Sequence, residues 1–359
     1  MPVNSGLATL SDHLYTVAIV VYSLALIAYC GEYAFGRRGR VADTLPEVED
    51  RVLAGAVAAS AGAAGGSSVA GSRPVDRDSD GLLDDDDDDD LADVPARGGA
   101  PRAERFGRLA VAATAVGLLL QLSSLTARGL ATDRVPWGNM YEFSSVVGAT
   151  AVLAFLLVLA RLPQVRYLGM FVMMPVVVLL FLGGTVLYAK AAPLVPALRS
   201  YWIVIHVTTI SIGTGIFLVS FVGSLLFLIR RRWEALVSIG RTPTRFPVTL
   251  GGRLPGAEVL DRMAYRTVAF GFPIYTFGII AGAIWAEAAW GRYWGWDPKE
   301  TWAFITWVVY AAYLHARATA GWRGAAAARI NLVAFATMIF NFFVVNMVVS
   351  GLHSYAGLT

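Results

Sequence analysis

Apolar residues in this chain gather into long runs separated by short Arg- or Pro-containing stretches. A helix needs about 20 apolar residues to cross roughly 30 Å of hydrocarbon, and lipid admits only helices or closed barrels because backbone polar groups must be satisfied internally. Eight runs of this kind occur, at about 12–35, 106–127, 143–161, 167–188, 200–229, 264–286, 301–320 and 328–350. The first starts too late and is too long for a cleaved signal segment, and no small-residue cleavage pattern follows it, which predicts a retained helix. The pattern therefore predicts an all-α integral membrane protein of about eight transmembrane helices.

One segment breaks the pattern. Residues 37–105 are rich in Ala, Gly and Ser, and Asp84 to Asp90 form an unbroken acidic run. Such a segment buries too little apolar surface to order itself, so it reads as a disordered loop between the first and second helices. The expected organisation is a first transmembrane helix at 1–36, this acidic loop, and a seven-helix core over 106–359. A second polar stretch, about 233–262, reads as a linker or short surface helix.

Composition sharpens this reading. With 56% hydrophobic and 15% charged residues in 359 and a mean hydropathy of +0.58, the bilayer is the expected solvent. The net charge of +3 is sorted by loop. Arg37, Arg38, Arg40, Arg102, Arg105, Arg108, Arg161, Arg166, Arg230, Arg231, Arg232, Arg262, Arg266, Arg317, Arg323 and Arg329 fall on one side, against Arg128, Arg134, Lys190, Arg199, Arg292 and Lys299 on the other. The positive-inside rule then places both termini outside the cytoplasm and residues 37–105 within it. This charge reads as topology in a plasma (inner) membrane, and nothing in it suggests nucleic acid. Cys30 is the only cysteine, which excludes a dithiol oxidoreductase and a covalently haem-bearing cytochrome. Inside an apolar helix it reads as a small buried hydrophobe.

Candidate chemistry concentrates at 290–302, Trp-Gly-Arg-Tyr-Trp-Gly-Trp-Asp-Pro-Lys-Glu-Thr-Trp, which holds Trp290, Trp294, Trp296 and Trp302. Asp297, Pro298 and Glu300 spell a helix start: an N-cap, a proline at the first helical position and a capping-box glutamate. An interfacial aromatic belt with a capped helix explains these residue types. A platform for a planar apolar ligand with carboxylates explains them equally, with indole faces on the ring and Arg292 and Lys299 facing its anions.

The histidines decide between these readings. His13, His206, His315 and His353 lie in or beside hydrocarbon, where imidazole is costly and function is the default expectation. His206 sits about five residues into the fifth helix, roughly 8 Å below its surface. His353 follows the eighth helix on the same side as the Trp-rich loop. Two imidazoles and an aromatic platform thus converge at one depth, as a bis-His haem site requires. His315 lies roughly 20 Å deeper than Trp302, too far to share that ring. His13 reads as interfacial.

The run at 290–302, with Tyr313-Leu-His315, Gly351-Leu-His353-Ser-Tyr, Pro136-Trp-Gly-Asn-Met-Tyr-Glu142 and Tyr201-Trp-Ile-Val-Ile-His206, closely resembles the CcsA/ResC family of system II cytochrome c biogenesis over about 106–359. Its members carry the tryptophan-rich WWD domain, variant forms of which occur in haem-handling proteins of system I. The resemblance implies that His206 and His353 are axial (metal) ligands of an external haem b, with the WWD segment as its platform. It implies His315 as ligand to a transmembrane haem whose second ligand comes from a ResB/Ccs1-type membrane subunit. The implied reaction is that of a holocytochrome c synthase, thioether formation on an apocytochrome c Cys-x-x-Cys-His segment. A bis-His membrane cytochrome for electron transfer is the rival reading; it needs two His pairs at two depths, and His13 is badly placed to pair with His315.

Overall fold

The computed structural model describes residues 3–36, 100–193, 198, 200–349 and 351–352. His353 and most of the predicted acidic loop lie outside the described residues. Among the described residues eight α-helices follow in chain order: α1 (Ser5–Phe35), α2 (Ala100–Thr132), α3 (Met140–Arg161), α4 (Gly169–Thr185), α5 (Tyr201–Val237), α6 (Ala257–Trp290), α7 (Pro298–Ala318) and α8 (Ala325–Met347). The described residues contain no strand. The chain is an all-α, multi-pass membrane protein.

Seven helices, all but α7, are long and apolar enough to cross a membrane. At 21 residues α7 has the length, but Lys299, Glu300, His315, Arg317 and its Trp, Tyr and Thr residues dilute its apolar character. Several helices outrun the apolar stretch that predicted them, because a helix continues past the hydrocarbon into the polar interface. The predicted linker at 233–262 is shorter than expected for this reason: α5 runs to Val237, a 3-10 turn covers Val248–Arg253, and α6 starts at Ala257.

The helices alternate in direction, and their ends are tied across the bundle. Asn4 N–H donates to Ala131 O at 2.9 Å, joining the start of α1 to the end of α2. Leu352 N–H donates to Asp297 Oδ1 at 2.7 Å, joining the chain after α8 to the start of α7. Both described chain ends therefore emerge at one end of the bundle. Helix α5 is the axis of the fold, packed on α3, α6 and α8. Polar groups at depth are paired with one another, as lipid demands. Tyr22 donates to Gln121 at 2.8 Å, and Asn331 Nδ2 donates to Ser220 Oγ at 2.8 Å and Ser224 Oγ at 2.7 Å.

Cys30 departs from its expected place: it is exposed on the bundle's outer face. The buried side of α1 is set by Tyr15, Ala18, Tyr22, Ala25 and Tyr29, whose helical spacing turns Cys30 outward beside Ile27. His13 also faces outward, two turns into α1.

Candidate functional site

At the bundle end shared by the two chain ends, the first turns of α5 meet the last turns of α6. His206, five residues into α5, has Nδ1 2.7 Å from the carbonyl oxygen of Gly278. A carbonyl only accepts, so Nδ1 carries the proton and Nε2 is left as the basic nitrogen, the tautomer that ligates metal. The approach depends on Gly282, one turn along α6. A Cβ there would lie 2.6 Å from both Nδ1 and Cε1 of His206, closer than any side chain allows. The imidazole is stacked with Trp285, centroids 6.2 Å apart and planes at 11°. Trp285 is 2% exposed and meets Trp290 edge-on at 4.7 Å.

The loop after α6 begins with Gly291 at φ +70, a left-handed cap that ends the helix and suits glycine. It closes with the predicted capping box. Asp297 accepts from Lys299 N–H at 3.2 Å, and Glu300 Oε2 accepts from Asp297 N–H at 3.1 Å and Gly295 N–H at 2.8 Å. Between them Trp296 holds φ 56, a conformation that side chains other than glycine adopt at a cost. Its ring is 67% exposed and stands perpendicular to Trp294, centroids 5.7 Å apart.

Two adjoining clefts open here, and His206, Ile210, Trp285 and Lys299 line both. The first, about 100 Å³, also receives Trp290, Tyr293, Trp294 and Asn341. The second, about 140 Å³, lies on the side of Trp137, Asn139 and Phe143. Pockets that enclose small ligands run to roughly 300–1,000 Å³; these clefts are smaller, and exposed Tyr293 borders the first. The cation in both clefts is Lys299, whose Nζ donates to Asn341 O at 3.1 Å. Lys299 precedes the apolar stretch of α7, and burial pushes its pKa down to about 7, with Asp297 opposing that shift. An imidazole in ligating form, indole walls, a cation and a backbone cradle fit a planar, apolar, carboxylate-bearing ligand that offers a metal.

The predicted residues thus divide. His206, Trp290, Trp294 and Lys299 meet at the clefts. Asp297, 7% exposed, caps α7 and holds Leu352. Trp302 faces α8 instead, its ring 4.1 Å from Phe340, and Arg292 is exposed on the loop. His353 lies outside the described residues, one position beyond Leu352. His315 is exposed near the far end of α7, on the stripe with exposed Phe304 and Val308, and so points away from its own bundle. Sequence reasoning missed Trp285, Gly278 and Gly282; the small residues four apart were the available signal. Trp137 entered only within the motif Pro136 to Glu142 that carried the resemblance, and Asn341 was missed.

Behind the second cleft lies a buried ion knot. Glu142, 0% exposed, accepts from Arg128 Nε at 3.0 Å, Arg134 Nη1 at 2.8 Å and Gly138 N–H at 2.8 Å. Arg128 also reaches Asp12 Oδ1 at 3.3 Å and Ala189 O. An unpaired charge here would be prohibitive; the mutual pairing fixes the 134–142 loop against α1, α2 and the end of α4.

The site is thus one histidine and a cluster of indoles gathered at one end of a multi-pass helical bundle. Residues 137–353 match the family model described as cytochrome C assembly protein, and this chain belongs to that family. It is similar to the cytochrome c biogenesis protein CcsA of Gloeobacter violaceus, 34% identical over 297 residues, which covers 70% of this chain and 87% of that one. It is also similar to CcsA of Parasynechococcus marenigrum, 38% identical over 256 residues, 67% and 84% of the two chains, and to CcsA of Synechocystis, 34% identical over 291 residues, 68% and 86%.

Proposed function

We propose that this protein is the haem-handling subunit of a system II cytochrome c synthase, and that it presents haem b, as substrate, on the extracytoplasmic face of the plasma (inner) membrane. The observation that carries this reading is His206. Its Nδ1 is committed to Gly278 O at 2.7 Å and its ring is stacked on Trp285 within an indole-lined cleft. Membership of the cytochrome C assembly family supports it, and the sorting of Arg residues between loops supports the orientation.

In this account His206 and His353 supply the axial nitrogens, Trp290 and Trp294 the ring contacts, and Lys299 the cation for a ring carboxylate. The chain's contribution is orientation: it holds the haem vinyl groups at the membrane surface, where the two thiols of an apocytochrome Cys-x-x-Cys-His segment approach them. Each thiol S–H adds across a vinyl C=C, forming a thioether with no net oxidation. His315, facing outward from α7, serves a second haem site completed by a ResB/Ccs1-type subunit. The outward faces of His13 and His315 give no internal pair among the described residues, which weighs against a self-contained electron-transfer cytochrome.

The test is reconstitution of the full chain with the partner subunit, haem, a reductant and an apocytochrome carrying Cys-x-x-Cys-His. Haem that stays on the apocytochrome through denaturing electrophoresis, and only when this chain is present, is the expected result. Attachment that proceeds equally without this chain would overturn the assignment.

A further inference from the structure

Trp137 has no role in the site so far described. Its indole Nε1 is shielded from solvent and has no hydrogen-bond partner among the described residues. Indole N–H is a donor only, and leaving it buried without an acceptor is unfavourable. Yet the position is held firmly. Trp137 N–H donates to Val135 O at 2.9 Å, Gly138 N–H donates to Glu142 at 2.8 Å, and Asn139 caps α3 through Glu142 N–H at 2.9 Å. These bonds fix the backbone from which the indole projects. Trp137 lines the second cleft with His206, Trp285 and Lys299. The nearby guanidinium groups are already committed, Arg128 to Glu142, Asp12 and Ala189 O, and Arg134 to Glu142 and Ala192 O.

We propose that Trp137 is a ligand-binding residue, its indole N–H donating to a carboxylate of the bound ring, with Lys299 supplying the charge in the same cleft. This rests on the reading of the site as a haem site and adds to it the segment 137–139 as its second wall. An acceptor that brings negative charge suits a cleft holding one buried donor and one amine.

The experiment compares binding of haem and of haem dimethyl ester, in which both carboxylates are masked, by the purified full-length protein in detergent. The parent should prefer haem by about tenfold, the value of one charge-assisted hydrogen bond. Trp137→Phe, which keeps the ring but not the donor, should reduce that preference severalfold, leaving only the part that Lys299 supplies, while the bound haem keeps its low-spin spectrum. Trp137→His, which retains a ring N–H, should recover part of the preference. A parent that binds both forms equally, or a Trp137→Phe protein that keeps the full preference, overturns the proposal and leaves the haem reading standing. A parent that binds neither form overturns both. If Trp137→Phe fails to fold, Trp137→His decides: a preference as small as that expected without the donor overturns the proposal.

Discussion

Asp297 Oδ1 accepts a hydrogen bond from the backbone N–H of Leu352 at 2.7 Å, so the residue that starts α7 also holds the chain one position before His353. The carboxylate does two jobs, since it caps α7 through Lys299 N–H. Asp297→Ala should therefore remove the cap, at a cost of about 1 kcal/mol, and loosen the segment leading to His353. Asp297→Asn, which keeps an acceptor, should stay near the parent. Haem per protein and the thermal midpoint, measured together, check this; equal haem content in both variants contradicts it.

Gly282→Ala places a methyl 2.6 Å from the His206 ring. The imidazole must shift and its bond to Gly278 O must lengthen or break, a local overpacking worth about 1–3 kcal/mol. Haem occupancy should fall by at least tenfold while membrane insertion is unaffected. Occupancy equal to the parent's would show that the ring has room that the close packing of α5 and α6 denies.

Lys299 carries the pH dependence. Its pKa is lowered to about 7 by burial, so between about pH 7 and the ordinary lysine range near 10.4 the unfolded chain binds the extra proton and protein stability rises with pH. Ligand binding runs the other way. A ring carboxylate is attracted by the charged amine, so affinity for haem should be highest below pH 7 and weaken as pH rises through it. Lys299→Met should flatten that dependence between pH 6 and 8. A slope unchanged in the variant contradicts the role given to Lys299.

How far the sequence discloses this site follows from the range of the interactions involved. The start of α7 was legible because the capping box from Asp297 to Glu300 is a local pattern, and His206 was legible because a histidine in a run that must cross lipid is conspicuous. Which way Trp302 points was not, because its neighbour Phe340 lies on another helix and no local rule orients a ring across that gap. Cys30 failed for the same reason: burial on α1 is decided by which face α2 and α4 cover. Trp285 and Gly282 escaped notice because their value lies in the distance to α5. Glu142 was visible only as part of a resemblance, although a carboxylate flanked by Arg128 and Arg134 in apolar surroundings carries its own signal.

Glu142 should prove the strongest single stability determinant at this end of the bundle. Glu142→Gln leaves Arg128 and Arg134 without their shared carboxylate, and removal of one member of a buried ionic group costs about 3–5 kcal/mol. Thermal unfolding of the detergent-solubilised protein should show a clear drop in midpoint. A variant as stable as the parent would mean that water reaches the knot.

Histidine ligation of haem is read out by the absorbance spectrum of the purified protein, oxidised and reduced, in the parent and in His206→Ala and His353→Ala. The parent should show the sharp reduced bands of low-spin, bis-imidazole haem. Each variant should lose haem or turn high-spin, and imidazole in the medium should partly restore the parent spectrum by filling the vacated axial position. Unchanged spectra in both variants would contradict the account.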